Sequence, residues 1–150
     1  MKNKVKIAVV GIGLMGSQHL KAIERSQRAS LHSIIDINKN SYLHAKKYKV
    51  PFYRTSSVIL KNNKPDAVII ATPNQFHEKY TSSFLKAKIP VLLEKPISNN
   101  IITAKKIINN SKKNKTHLLI GYHRRQNSIV TTLKKKIESG QLGKIVSVNV

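Results

Sequence analysis

Val5-Lys6-Ile7-Ala8-Val9-Val10-Gly11-Ile12-Gly13-Leu14-Met15-Gly16-Ser17-Gln18-His19-Leu20 sets the architecture of this chain. Val5–Val10 is short, apolar and β-branched, as a covered strand should be. Three glycines follow at G-x-G-x-x-G spacing, and a helical pattern runs from about Met15 to Ser26. Gly11 permits a tight turn, Gly13 leaves no Cβ in the way of an approaching group, and Gly16 lets helix and strand pack closely. The N–H groups of such a turn and the positive end of the helix dipole face outward, a seat suited to an anion. A glycine turn of purely structural use is the plain alternative. The strand before it and the helix after it favour a ligand seat made by Gly11, Ile12, Gly13, Leu14, Met15 and Gly16.

Outward from this run, strand-like and helix-like segments alternate over the whole 150 residues. Leu31–Ile35, Phe52-Tyr53, Ala67–Ala71, Val91–Leu93 and Leu118–Ile120 read as strands, and Ile145–Val150 alternates like the start of another. Helical patterns cover about Lys39–Tyr48, Ser56–Lys61 with a serine cap, His77–Lys86, Ile101–Asn114 and Thr131–Ser139, the last closed by Gly140. In Ile101–Asn114 the residues Ile101, Ala104, Ile107 and Ile108 fall on one stripe. This order predicts an α/β fold, a Rossmann-type doubly wound parallel sheet with helices on both faces. Ala67–Ala71, unbroken and apolar, should be central. Residues 1–121 form the expected core of one domain, and 122–150 a connection leading away from it.

In such a sheet, ligands bind beyond the carboxyl ends of the strands, so the residues there are the candidate site. Asp36 ends the second strand twenty residues after Gly16. A carboxylate there can accept hydrogen bonds from the adenosine ribose hydroxyls and would repel a 2′-phosphate. No arginine is close in sequence, so NAD is favoured and NADP ranks below it. An exposed turn aspartate opening the next helix is the structural alternative. Ala71, Thr72, Pro73, Asn74 and His77 follow the central strand. There a hydroxyl and an amide can meet ribose or phosphate, or Asn74 can simply cap the helix and His77 simply pack.

Glu94-Lys95-Pro96 follows the buried run Val91–Leu93. A charged pair at that point has to sit at a cleft mouth to stay solvated or paired. The Lys95 ammonium can stabilise negative charge on a substrate oxygen or take part in a proton relay, which makes it the candidate catalytic residue. Glu94 and Lys95 also count among the candidate cofactor contacts, and cis geometry at Pro96 is one option. Gly121-Tyr122-His123-Arg124-Arg125-Gln126-Asn127 supplies Arg124, which can clamp an anion or reach the nicotinamide side. An ion-pair network with Glu94 is the structural alternative for both arginines.

Composition bounds the rest. With 28 Lys and Arg against 6 Asp and Glu, the net charge is +22. Such an excess suggests nucleic acid or an acidic surface. Yet the lysines are dispersed over predicted helix faces, arginine occurs only at Arg25, Arg28, Arg54, Arg124 and Arg125, and tryptophan is absent. That pattern argues against nucleic-acid readout, which uses clustered arginine and stacking aromatics. The absence of cysteine removes disulfides and thiolate metal sites, and the six scattered histidines have no zinc spacing. Lys2, Lys4 and Lys6 before Ile7–Gly16 imitate a signal peptide, but no cleavage site follows, and no apolar run is long enough for a membrane span. A soluble, cytoplasmic protein is expected.

VVGIGLMGSQH, ATPNQFH, LLEKPIS and IGYHRRQN, in this order and spacing, resemble the N-terminal domain of the glucose–fructose oxidoreductase/inositol 2-dehydrogenase (Gfo/Idh/MocA) family over essentially the whole chain. The resemblance implies a Rossmann domain for NAD or NADP, with Lys95 beside nicotinamide and substrate. It implies hydride exchange with a hydroxyl or carbonyl of a sugar, cyclitol or derivative. Two departures stand out. Ser128 replaces a proline frequent in the family, and the family's second α+β domain, with its Asp-x-x-x-His pair, has no counterpart in the sequence. That domain is expected from a longer polypeptide or a separate chain, because one wall alone does not exclude water from a hydride-transfer site. A non-catalytic NAD-binding module is the alternative function, and a basic nucleic-acid-associated protein the third. An uncovered apolar edge would also allow homo-oligomers.

Overall fold

The computed structural model describes residues 4–149. The apolar runs form strands β1 (Val5–Val10), β2 (Ala29–Ile35), β3 (Phe52–Tyr53), β4 (Ala67–Ile70), β5 (Val91–Leu93) and β6 (Leu118–Ile120). All pair in parallel in one sheet, ordered β3-β2-β1-β4-β5-β6. The helices between them are α1 (Leu14–Arg25), α2 (Tyr42–Tyr48), α3 (Ser56–Asn62), α4 (His77–Lys86), α5 (Ile101–Asn114) and α6 (Ser128–Glu138). The chain walks outward from β1 to β3, returns past β1 to β4, and then walks the other way. Strand order therefore reverses between β1 and β4, where a ligand crevice opens in such sheets.

Two cores fill the two faces, as the alternation of strand side chains requires. Ala8, Val10, Val68, Ile70 and Leu93 pack with Ile59 of α3, Phe84 and Leu85 of α4 and Ile107 of α5. On the other face, Val9, Ile34 and Ile69 pack with Leu20 and Ile23 of α1 and Ala45 of α2. Each of the Val, Leu, Ile and Phe side chains named is almost wholly buried, which stabilises the fold by about 1.5–3 kcal/mol apiece before chain entropy is counted.

Three expectations about these elements change. The stripe on α5 reduces to Ile107, with Ala104 half-buried. Ile101 is 72% exposed and Ile108 lies at the surface, so the core takes only Ile107 of this stripe as a fully buried side chain. The short helix α3 has Thr55, not serine, at its N-cap and no side-chain capping bond. Thr55 Oγ1 is instead hydrogen-bonded to Ser57 Oγ at 2.8 Å. Residues 145–149 form no strand, since no neighbouring strand completes their ladder, and Val150 lies outside the described residues.

An ion pair ties α4 to α5. Lys106 Nζ stands 3.0 Å from Glu78 Oε1, Ser82 Oγ–H donates to the same oxygen at 3.1 Å, and Asn110 Nδ2–H donates to Ser82 Oγ at 2.7 Å. The Lys106 hydrogen bond holds the Glu78 carboxyl below its ordinary value of 4.5, partly opposed by desolvation. A depressed folded-state value means that this contribution is present above the unfolded value and is lost as pH falls through the folded one. Glu78→Gln should therefore flatten the fall in melting temperature below about pH 4.5 relative to the unsubstituted chain. Parallel curves for both proteins would show that the pair adds nothing.

Candidate functional site

The β1/β4 reversal holds a cleft of about 560 Å³. Its floor is the glycine loop. Gly11 has φ +86°, and a Cβ there would lie 2.9 Å from the Ala71 carbonyl. At Gly16 a Cβ would overlap the Gly11 carbonyl oxygen, whereas at Gly13 it would meet nothing within 4 Å. Gly13 is the N-cap of α1, no side chain caps this helix, and its first turn carries no acid. The N-terminal donors of a helix need partners from outside it. Here they face open space with the dipole behind them, which fits a diphosphate.

Asp36 stands on one wall of this cleft, held by three donors. The Ile12 N–H donates to Oδ2 at 2.7 Å, Ser41 Oγ–H to Oδ2 at 3.0 Å and the Asn38 N–H to Oδ1 at 2.9 Å. A carboxylate offers about four lone-pair sites, so one on Oδ1 is left for a ribose hydroxyl. The acid thus pins the glycine loop to the end of β2 as well as facing the cleft. Tyr80, on the opposite wall, has its hydroxyl pushed above the ordinary 10.0 by burial and by the charge of Asp36, so it stays a donor. Tertiary structure also brings up an arginine. Asp36 N–H donates to Tyr53 O at 3.0 Å, and Arg54 Nη2–H reaches Ile37 O at 3.5 Å.

Ala71, Thr72 and Pro73 line the cleft from the end of β4. The Thr72 hydroxyl, however, is buried and has no partner, so what Thr72 presents to a ligand is not the expected hydroxyl rim. Asn74 begins a 3-10 turn (Asn74–Phe76) without capping a helix, and it does not line the cleft. His77 requires a correction. Its side chain is wholly buried, with Nδ1 3.0 Å from Pro96 O and Nε2 2.9 Å from Thr72 O. It straps two loops together and touches no cleft. A neutral ring donates through one nitrogen only.

Past β5 and β6 lies a second recess of about 690 Å³, lined by His19, Glu94, Gly121, Tyr122, His123 and Arg125 among others. Glu94 is buried, with His19 Nε2 2.8 Å from its Oε1. The alternative of an ion-pair network with Arg124 and Arg125 does not form among the described residues, where His19 is the only basic side chain within ion-pair distance of Glu94. Lys95 and Arg124 are exposed and share a small dent of about 110 Å³ with Tyr122, His123 and Arg125. The Lys95–Pro96 peptide is cis. These post-strand stretches therefore all lie on the carboxyl edge of the sheet, with the glycine loop, Asp36 and Ala71–Pro73 on the first cleft, Glu94 and Gly121 on the second recess, and Lys95 and Arg124 in the dent that shares Tyr122, His123 and Arg125 with it. His19 went unnoticed as a site residue, although its place one turn after Gly16 on α1 was the available signal.

No group of three or more potential metal ligands exists among the described residues, and no helix there is long and apolar enough to cross a membrane. The wall beyond β5 is thin. Leu119 of β6 is 67% exposed, and no residue of α6 is buried, although its Ile129, Val130, Leu133 and Ile137 are apolar.

A family model described as "Oxidoreductase family, NAD-binding Rossmann fold" (GFO_IDH_MocA) matches residues 5–122. An inositol 2-dehydrogenase of Corynebacterium glutamicum is 32% identical over 152 residues, covering 97% of this chain and 44% of that protein. The structure of scyllo-inositol dehydrogenase from Lactobacillus casei with bound NAD(H) and scyllo-inositol superposes with a TM-score of 0.90 at 26% identity, over 95% of this chain and 43% of that one. The WlbA dehydrogenase of Bordetella pertussis, in complex with NADH and UDP-GlcNAcA, gives a TM-score of 0.90 at 26% identity, over 95% and 44%. The chain spans less than half the length of these relatives.

Proposed function

The chain belongs to the Gfo/Idh/MocA oxidoreductase family, with that family's NAD-binding Rossmann fold, and from this premise we propose that it is the cofactor-binding part of a dehydrogenase acting on a cyclitol or related sugar. The observation that carries this reading is the uncapped start of α1, with open space off Gly13 and no acid in its first turn. Backbone N–H groups of Gly13–Gly16 hold the diphosphate, and the free Oδ1 site of Asp36 takes a ribose hydroxyl. When bound, the cofactor supplies hydride exchange at its nicotinamide. Lys95 offers its ammonium to a substrate oxygen, stabilising negative charge or relaying a proton. Arg124, in the same dent, takes an anionic or amide group.

The substrate class draws on the inositol dehydrogenases among the relatives. A second wall, from a further domain or another chain, has to cover the open side of Lys95 before water is excluded. A non-catalytic NAD-binding module is the second reading, in which the glycine-loop cleft and Asp36 hold NAD with no chemistry at Lys95. Without cysteine or a membrane-crossing helix among the described residues, a cytoplasmic location accords with either.

Isothermal titration of the chain with NAD tests the seat. Heat from NAD is expected, with NADP weaker, and no heat from either at millimolar concentration would remove both readings. Asp36→Ala should weaken NAD by about 1.5–3 kcal/mol, the worth of a hydrogen bond to a charged group. Unchanged affinity in that variant would discredit the ribose contact.

A further inference from the structure

Glu94 is the first residue beyond β5, and only 6% of it is exposed. A carboxylate buried this deeply has to be paired and hydrogen-bonded. Its partner comes from a distant element: the His19 Nε2–H donates to Oε1 at 2.8 Å from the second turn of α1. The remaining oxygen, Oε2, is 3.3 Å from the Lys95 N–H, and β6 closes the third side. A Cβ on Gly121 would come within 3.1–3.2 Å of the carboxylate, so the backbone of that loop lies directly against it. One side-chain pair therefore ties together the helix that starts at the glycine loop, the turn that carries Lys95 and the loop that carries Arg124.

We propose that His19 and Glu94 are positioning residues, a clasp that sets the nicotinamide-side wall, formed by the Lys95 turn and the Gly121 loop, at a fixed place relative to the diphosphate seat. Neither side chain touches the glycine-loop cleft, whose walls are built from other residues. Both line the neighbouring recess. Without His19, Glu94 loses its only side-chain hydrogen-bond partner among the described residues and turns toward water, taking the Lys95 backbone with it. The adenosine half of the site does not depend on this contact, because Asp36 anchors the glycine loop separately through Ile12 N–H. The clasp rests on the function proposed above, in that the far end of the ligand is taken to lie toward Lys95.

Two ligands separate the ends of the site. ADP-ribose carries the adenosine, the diphosphate and a ribose but no nicotinamide, whereas NADH carries all of them. His19→Leu should bind NADH about tenfold more weakly, the loss expected for one charge-assisted hydrogen bond, with ADP-ribose affinity unchanged. His19→Gln, whose side-chain N–H₂ can reach the same oxygen, should restore most of the NADH affinity, and the emission of bound NADH should return with it. Circular dichroism would verify that each variant is folded at the temperature of titration. Equal losses for both ligands, or no loss for either, would overturn the clasp as a positioning device. Failure of the unsubstituted chain to bind either ligand would instead remove the NAD seat on which the clasp rests.

Discussion

Lys95→Ala should lower hydride transfer by about 10²–10⁴-fold in a polypeptide that joins this chain to its second wall, the usual worth of a positioned acid–base group, with NAD affinity nearly unchanged. Lys95 is the first exposed residue after a buried carboxylate. It stands in a dent with Arg124 and outside the cleft that holds the glycine loop. A group so placed contributes little to gripping the adenosine and diphosphate, and much to charge that develops on a substrate oxygen. Steady-state rates and NAD titration on the same preparation decide the matter. An equal fall in turnover and affinity would make Lys95 a binding residue, and unchanged turnover would remove it from the chemistry.

Gly16→Ala should be nearly as damaging by a different route. The added methyl has no room, because it would overlap the Gly11 carbonyl oxygen. Helix α1 and the end of β1 must then separate, at a cost of about 1–3 kcal/mol for an overpacked contact. The same displacement opens the diphosphate seat, so NAD affinity should drop by roughly a hundredfold if that cost falls on the bound geometry. Gly13→Ala is the control. Gly13 has φ −80° and open space where a Cβ would go, so stability should stay within about 0.5 kcal/mol. NAD affinity alone should fall, since the methyl would stand where the phosphates approach. Thermal melts and titrations of both variants check the pair, and equal stability losses would show that the two glycines do not divide these roles.

Much of this was legible in one dimension. The boundaries of β1, β5, β6, α4 and α5 follow from apolar runs and helical periodicity, because a parallel strand covered on both faces has to be apolar along its whole length. The glycine spacing and Asp36 pointed to the crevice because each sits directly after a strand, and strand ends meet on one edge by topology alone. Chain-local signals of this kind survive folding unchanged.

Residues whose role depends on a partner elsewhere were not legible. His77 looked available for a ligand, but Thr72 and the Pro96 turn enclose it. Arg54 was remote from Asp36 until β3 paired with β2. Ile101 fitted the stripe of α5 and still faces water, since periodicity specifies a face and not which of its residues the core covers.

By itself, then, the sequence determined the layered α/β architecture, the glycine-loop seat and the family, because short-range patterns of apolarity and backbone freedom suffice for these. Only the tertiary structure decided that Glu94 pairs with His19 rather than with Arg124 or Arg125, and that the carboxyl edge is divided into two recesses. The partner of a buried charge is set by which elements cross within about 3 Å of it, and nothing along the chain records that distance.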